Sequence, residues 1–150
     1  MVKLKIGDKA PDFSLQSTTG EKFLLSQFLG VKNVVIFFYP MDESPVCSRE
    51  AEAFKEKYEA FKKLGAEVIG ISSQSSESHK AFANHHNLPY ILLSDAEGAV
   101  RKLYGVSSTL GVVPGRVTFV IDKEGVIKYL YSSQLQTARH AEEAVRALQK

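Results

Sequence analysis

The strongest apolar stretch of the chain does not alternate. Val34, Val35, Ile36, Phe37, Phe38 and Tyr39 follow one another, β-branched and aromatic, until Pro40 stops them. Such a run suits a central strand covered on both faces. Residues 68–72 read as a second buried strand and residues 91–93 as a short third. Between the first two the period changes: Ala51, Phe54, Tyr58 and Phe61 recur at spacings of three and four, which predicts one helix over residues 47–64. Glu50 and Glu52 in its first turns and Lys62 and Lys63 in its last complement the helix dipole, and Gly65 is the stop signal. Further helices are expected over residues 78–86, ended by Asn87-Leu88-Pro89, over 99–104 before Gly105, and over 138–149 behind Thr137 as cap. Residues 13–16 and 22–25 are short strands around Thr18-Thr19-Gly20, and Ser26 is placed to cap a brief turn ending at Gly30. Residues 116–122 and 126–132 form a hairpin across Asp122-Lys123-Glu124-Gly125.

The order is two strands, then strand-helix-strand-helix, a strand, a helix, a hairpin and a last helix. Alternation in the first half demands parallel pairing, and the hairpin demands antiparallel pairing. The economical packing is an α/β fold with a mixed central β-sheet flanked by helices on both faces, the thioredoxin-like arrangement. With 150 residues, no repeat and no linker, residues 1–150 are expected to form a single domain.

Composition narrows the functions. Hydrophobic residues make up 44% and charged residues 24%, the ordinary globular mix rather than a disordered one. A net charge of +2 lacks the concentrated basic face that nucleic-acid binding requires. No apolar run reaches the ~18 residues of a membrane span, and the first residues carry no signal-peptide core. The expected location is the cytoplasm, or an organelle if a leader has been removed. No glycine-rich phosphate loop is present, so neither nucleotide nor other organic cofactor is expected.

The one cysteine, Cys47, excludes an internal disulfide and a multi-cysteine zinc site. It is either a small buried apolar group on the helix stripe or a reactive thiol. Its setting is Tyr39-Pro40-Met41-Asp42-Glu43-Ser44-Pro45-Val46-Cys47, between a buried strand and a helix. Open α/β sheets put their chemistry at the carboxyl ends of strands. Free N–H groups in a helix's first turn favour an anion, and a thiolate is one. Ser44 offers a hydroxyl three residues earlier. Pro40 and Pro45 stiffen the loop.

These residues also carry a resemblance. Pro40-x-x-x-Ser44-x-x-Cys47 matches the peroxiredoxin motif Pro-x-x-x-Thr/Ser-x-x-Cys. The segments 7–13, 37–40, 65–72, 92–95 and 114–122 resemble the peroxiredoxin Q (bacterioferritin comigratory protein) branch, so that the likeness covers nearly the whole chain. It implies a thiol-dependent peroxidase that reduces hydrogen peroxide and organic hydroperoxides, in antioxidant defence. In it Cys47 is the nucleophile that becomes a sulfenic acid, Ser44 bonds the peroxide, Pro40 shields the sulfenate, and Arg116 lies against thiolate and peroxide. Backbone N–H groups and a fixed guanidinium stabilise such an attack without a metal. Glu50, three residues after Cys47, is expected to pair with Arg116 or Arg49 and orient the site; a first-turn carboxylate serving only the dipole is the other reading.

Many members of the branch carry a resolving cysteine five residues after the first, where this chain has Glu52; others carry it in the next long helix, where residues 78–86 hold none. The resemblance is thus to a one-cysteine variant, recycled by an external thiol from thioredoxin, glutaredoxin or glutathione, and the branch suggests a monomer. A redox sensor with little turnover and a holdase chaperone are the non-enzymatic alternatives. A thiol–disulfide oxidoreductase would want Cys-x-x-Cys, and the fourth position is Glu50. No metal is expected: His85 and His86 are adjacent, so a helix should point them apart, and no carboxylate stands at ligand spacing between His79 and His86.

Overall fold

The computed structural model describes residues 4–106, 108–109, 113–114, 116–133 and 136–149, the side chains of 108–109 and 113–114 excepted. Strands β1 (Ser14–Ser17) and β2 (Lys22–Leu24) lead through a 3-10 turn, Leu25–Phe28, to β3 (Asn33–Phe38). Helices α1 (Pro45–Glu56) and α2 (Tyr58–Lys63) precede β4 (Ala66–Ser72). Then come α3 (Ser76–His86), β5 (Ile91–Ser94) and α4 (Ala99–Leu103). The ribbon β6 (Ser108–Thr109) and β7 (Val113–Pro114), which the sequence pattern did not signal, precedes β8 (Val117–Ile121), β9 (Ile127–Ser132) and α5 (Thr137–Leu148).

Seven strands form one sheet in the order β2-β1-β5-β4-β3-β8-β9. β3 pairs parallel to β4 and β4 parallel to β5, while β8 pairs antiparallel to β3 and to β9. The mixed sheet therefore has the pairing that the element order demanded. Period two splits β3 between the faces. Val35, Phe37 and Tyr39 pack with α1, α2, α3 and α5; Val34, Ile36 and Phe38 pack with α4 and the N-terminal strands. Helices lie on both faces, four against one.

Three expectations need correction. Ser26 does not cap the brief turn but lies inside the 3-10 helix Leu25–Phe28, whose N-cap is Leu24. The helix over residues 47–64 is two helices, because Lys57 leaves the helical region at φ −92°, ψ 1°. The apolar spacing nevertheless persists through the break, since Phe54 and Phe61 are both fully buried and stack at 5.9 Å. Thr137 is not a cap: it is the first residue of α5 and is buried, and the Ser133 hydroxyl instead accepts from the Gln136 N–H (3.1 Å).

Gly70, in the middle of β4, marks how closely this face is packed. A Cβ there would meet Leu92 at 2.7 Å and the Phe37 ring at 2.8 Å. The Phe37 ring is itself pinned, stacked on Phe54 at 4.3 Å, so it cannot give way. Gly70→Ala is expected to destabilise the fold by about 1–3 kcal/mol through overpacking, read as a lower denaturant midpoint at unchanged slope.

Candidate active site

The loop from β3 to α1 is built to hold one sulfur. Glu43 takes a left-handed turn (φ 63°), and Ser44 returns to extended backbone, where it caps α1. Its hydroxyl oxygen accepts from the Cys47 N–H at 3.1 Å, one of the unpaired donors of a first turn. Pro45 occupies the first helical position, where a missing N–H costs nothing. Cys47 is thus the third helical residue, 1% exposed, with its backbone anchored to the residue three before it. The cap was legible as Ser44 three residues before Cys47, yet the sequence reading used that hydroxyl only as a ligand for substrate.

The loop's other side chains fasten it to α3. Asp42 is buried and accepts from the Tyr39 hydroxyl (2.6 Å) and the Ser78 hydroxyl (2.6 Å), and it lies 2.7 Å from His79 Nδ1. The other nitrogen of His79 is 3.0 Å from the Leu93 carbonyl. Burial works to raise the Asp42 carboxyl, but the hydrogen bonds from His79, Ser78 and Tyr39 together hold it below its ordinary value. Sequence reasoning missed this cluster because nothing in the spacing of residues 39, 42, 78 and 79 announces it.

Arg116 arrives from the neighbouring strand. Phe38 opposes Val117 in the β3–β8 ladder, so the next residue of β3's chain, Tyr39, stands beside Arg116. Period two then puts Arg116 on the same face as Thr118 and Val120, towards α1 and α5. Arg116 is 4% exposed. Its Nη2 donates to Cys47 Sγ at 3.3 Å and its Nη1 to Glu50 Oε1 at 2.6 Å. Of the two partners expected for Glu50, Arg116 is the one the fold supplies.

Glu50 is fully buried. Burial raises its carboxyl to about 8 although the Arg116 charge pulls the other way. Its Oε2 has no hydrogen-bond partner among the described residues and lies 3.5 Å from His140 Nδ1. His140 donates through Nε2 to the Ser133 carbonyl (2.8 Å), and burial, with the nearby Arg116 charge adding to it, lowers the ring to about 4. A neutral His140 presents a lone pair at Nδ1, which the Thr118 hydroxyl meets at 2.7 Å. That lone pair is already taken by Thr118, so Oε2 meets no donor at His140, and burial favours the protonated form of Glu50. His140 is a further residue that the sequence reading passed over.

Of the remaining residues marked in the sequence, Pro40 is half-buried at the end of β3, and Glu52 points away from Cys47, its Oε2 accepting from His86 Nδ1 at 2.9 Å. Arg49 is not part of the Arg116–Glu50 pair.

A buried cysteine in a helix's first turn, an arginine from the adjacent strand and a sheet of this order define a thioredoxin-like thiol peroxidase. Residues 6–130 match the AhpC/TSA family, and the chain belongs to it. It is 50% identical over 148 residues to the chloroplastic peroxiredoxin Q of Sedum lineare, covering 98% of this chain and 79% of that one. Among solved structures it is similar to peroxidoxin BcpB of Mycobacterium tuberculosis (36% identity, TM-score 0.90, 97% of each chain). It is likewise similar to a PrxQ mutant of Xylella fastidiosa (26% identity, TM-score 0.90, 99% of this chain and 98% of that one). The chain is a thiol-dependent peroxidase of this kind.

The two perturbed groups set opposite slopes of stability with pH. Glu50 binds its proton more tightly folded than unfolded, so its contribution is complete below pH 4.5 and fades as pH rises through about 8. His140 binds its proton less tightly folded, so its contribution is complete above pH 6.5 and is lost as pH falls through about 4. In denaturation measured across this range, Glu50→Gln is expected to flatten the decline of the wild-type protein between pH 6.5 and 8. An unchanged slope there would show that Glu50 is already ionised at pH 6.5.

Proposed function

We propose that Cys47 is the nucleophile, that the chain reduces hydrogen peroxide and organic hydroperoxides, and that an external thiol returns it to the start. The observation that carries the reading is the single contact between the Arg116 guanidinium and Cys47 Sγ at 3.3 Å, in a first helical turn with its cap in place. The thiolate attacks the nearer peroxide oxygen. The S–O bond forms as the O–O bond breaks, giving a sulfenic acid and an alkoxide or hydroxide that takes a proton. Arg116 stabilises the charge as it moves from sulfur to the leaving oxygen, and typically such a donor is worth about 3–4 kcal/mol in the transition state. Ser44 spends its lone pair on the Cys47 N–H, which leaves its hydroxyl hydrogen to donate to the peroxide. Pro40, which carries no N–H, shields the sulfenate from water. Glu50 fixes the guanidinium's second edge and so orients it.

Recycling follows from the single cysteine. No second thiol of the chain can condense with the sulfenic acid, and Glu52 stands where many members of the branch resolve it. An external thiol forms a mixed disulfide with loss of water, and a second thiol releases Cys47. Thioredoxin, glutaredoxin and glutathione all have the required chemistry. The branch that the sequence resembles supports action as a monomer. For location, the chloroplastic relatives support an organelle; among the described residues no helix is long and apolar enough to cross a membrane.

Three measurements test this reading. Cys47→Ser is expected to abolish peroxide consumption with the fold intact, and residual turnover there would remove the nucleophile from the scheme. Arg116→Met keeps much of the apolar stem without the charge and is expected to slow the second-order reaction with peroxide at least ~100-fold. Intact-mass analysis after one equivalent of peroxide is expected to show one added oxygen, replaced by a mixed disulfide when a thiol is supplied and driven to the sulfinic acid by excess peroxide. A disulfide dimer through Cys47 that forms and is reduced within turnover would overturn the recycling scheme.

A further inference from the structure

Away from the sulfur, the same loop and helices bring together a second set of chemically able side chains. The expectation that a helix would point His85 and His86 apart is corrected here: at the end of α3 their ring centroids are 4.4 Å apart, and both reach Glu43 of the β3–α1 loop. His85 Nδ1 lies 2.9 and 3.1 Å from the two Glu43 oxygens, and His86 Nε2 lies 3.5 Å from Oε1. The three ligand atoms all fall within 4.8 Å of one another. Tetrahedral zinc holds N and O ligands at about 2.0–2.2 Å, which sets them about 3.4 Å apart. The carboxylate missing at helical spacing in the sequence comes from a residue some forty positions earlier.

The polar inventory of His86 points to a ligand. Its Nδ1 donates to Glu52 at 2.9 Å, which fixes the tautomer and leaves a lone pair on Nε2. That Nε2 is buried without a hydrogen-bond partner among the described residues, and its neighbour is a carboxylate oxygen. With a neutral ring these are two acceptors facing each other, and a cation between them would satisfy both. Glu52 completes the carboxylate–histidine–metal relay by which outer groups orient a metal-ligating imidazole. His85 is mostly exposed, so its ring can bind through Nδ1 while its proton moves to Nε2 in water.

We propose that Glu43, His85 and His86 bind one divalent transition-metal ion of the zinc class, with Glu52 as the positioning residue behind His86 and water at the fourth position. Two imidazoles and one carboxylate are borderline ligands that suit Zn2+, Co2+, Ni2+ and Cu2+ rather than Mg2+ or Ca2+. The ion would join the loop that carries Pro40 and Ser44 to α1 and to the end of α3. It would occupy neither Cys47 nor Arg116.

The test uses the full chain, free of any affinity tag and stripped with a chelator. Calorimetric titration with Zn2+ is expected to give one equivalent bound, and Co2+ an absorption spectrum of tetrahedral strength. His85→Ala, at an exposed position, is expected to weaken binding at least tenfold while its circular dichroism matches the wild type. Glu52→Gln is expected to weaken it by ~10–100-fold without touching the ion. Cys47→Ser is expected to bind as the wild type does. Binding lost in Cys47→Ser and unchanged in His85→Ala would assign the ion to the thiol and overturn the site. So would the absence of stoichiometric binding.

Discussion

One buried guanidinium is placed where two acidic groups share it. Arg116 has a sulfur on one arm and a carboxyl on the other, and almost no water. A charge taken from water costs several kcal/mol unless it is paired. Two full anions around one cation would leave the pocket with a net negative charge. Burial raises Glu50 towards its protonated form, which leaves the charge of the guanidinium facing the Cys47 sulfur. In the proposed mechanism Glu50 works as a steering arm that holds the edge of Arg116. The neutral ring of His140 behind it serves the same balance, since an imidazolium there would pull the Glu50 proton away.

That pairing depends on strand order. Only because β8 lies beside β3 does Arg116 come to the end of the strand from which the Cys47 loop departs. The loop in turn holds its shape through Asp42, which gathers hydroxyls and a histidine from two elements, and through the Ser44 cap. Farther along α1 the Tyr90 hydroxyl donates to the Ala51 carbonyl and Lys55 to the His86 carbonyl, so the helix is tied at three levels. Sulfur, arginine and loop are each fixed by a different neighbour, which is how a site reaches usable precision on a scaffold of this size.

The strands and most helices were legible because burial imposes its period on the sequence. Val34 to Phe38 are buried on both faces and read as one apolar run; Ala51, Phe54 and Phe61 keep their spacing even across the break at Lys57. The break itself left no mark, since Lys57 is an ordinary helix former whose conformation is set by packing on either side. Cys47, Ser44 and Pro40 were legible as a local motif. Arg116 was marked only by resemblance to a family and Glu50 only by its place one turn after Cys47, because their meeting is a fact of register between distant segments. His79, His140, His85 and His86 were illegible for the same reason: each meets its carboxyl or hydroxyl partner across at least 20 residues of chain.

In the proposed cycle, the absence of a second thiol gives the buried position of Cys47 a consequence. Peroxide is small, and the attack is served by the closed geometry, with Arg116 and the first turn in place. A thiol that reduces the sulfenic acid must reach the same sulfur along the S–O axis, and Cys47 is 1% exposed behind a loop fastened to α3. The two half-reactions therefore ask opposite things of residues 40–47. Oxidation asks for the loop closed and Arg116 fixed; reduction by anything larger than a small thiol asks for the first turn of α1 to open. Locally unstable segments are where proteins place such openings. Here the segment is held by polar contacts at Asp42 and Ser44 rather than by an extensive apolar face. Hydrogen bonds to water can replace those contacts as the loop leaves, whereas the stack of Phe37 on Phe54 further along α1 would have to be broken outright.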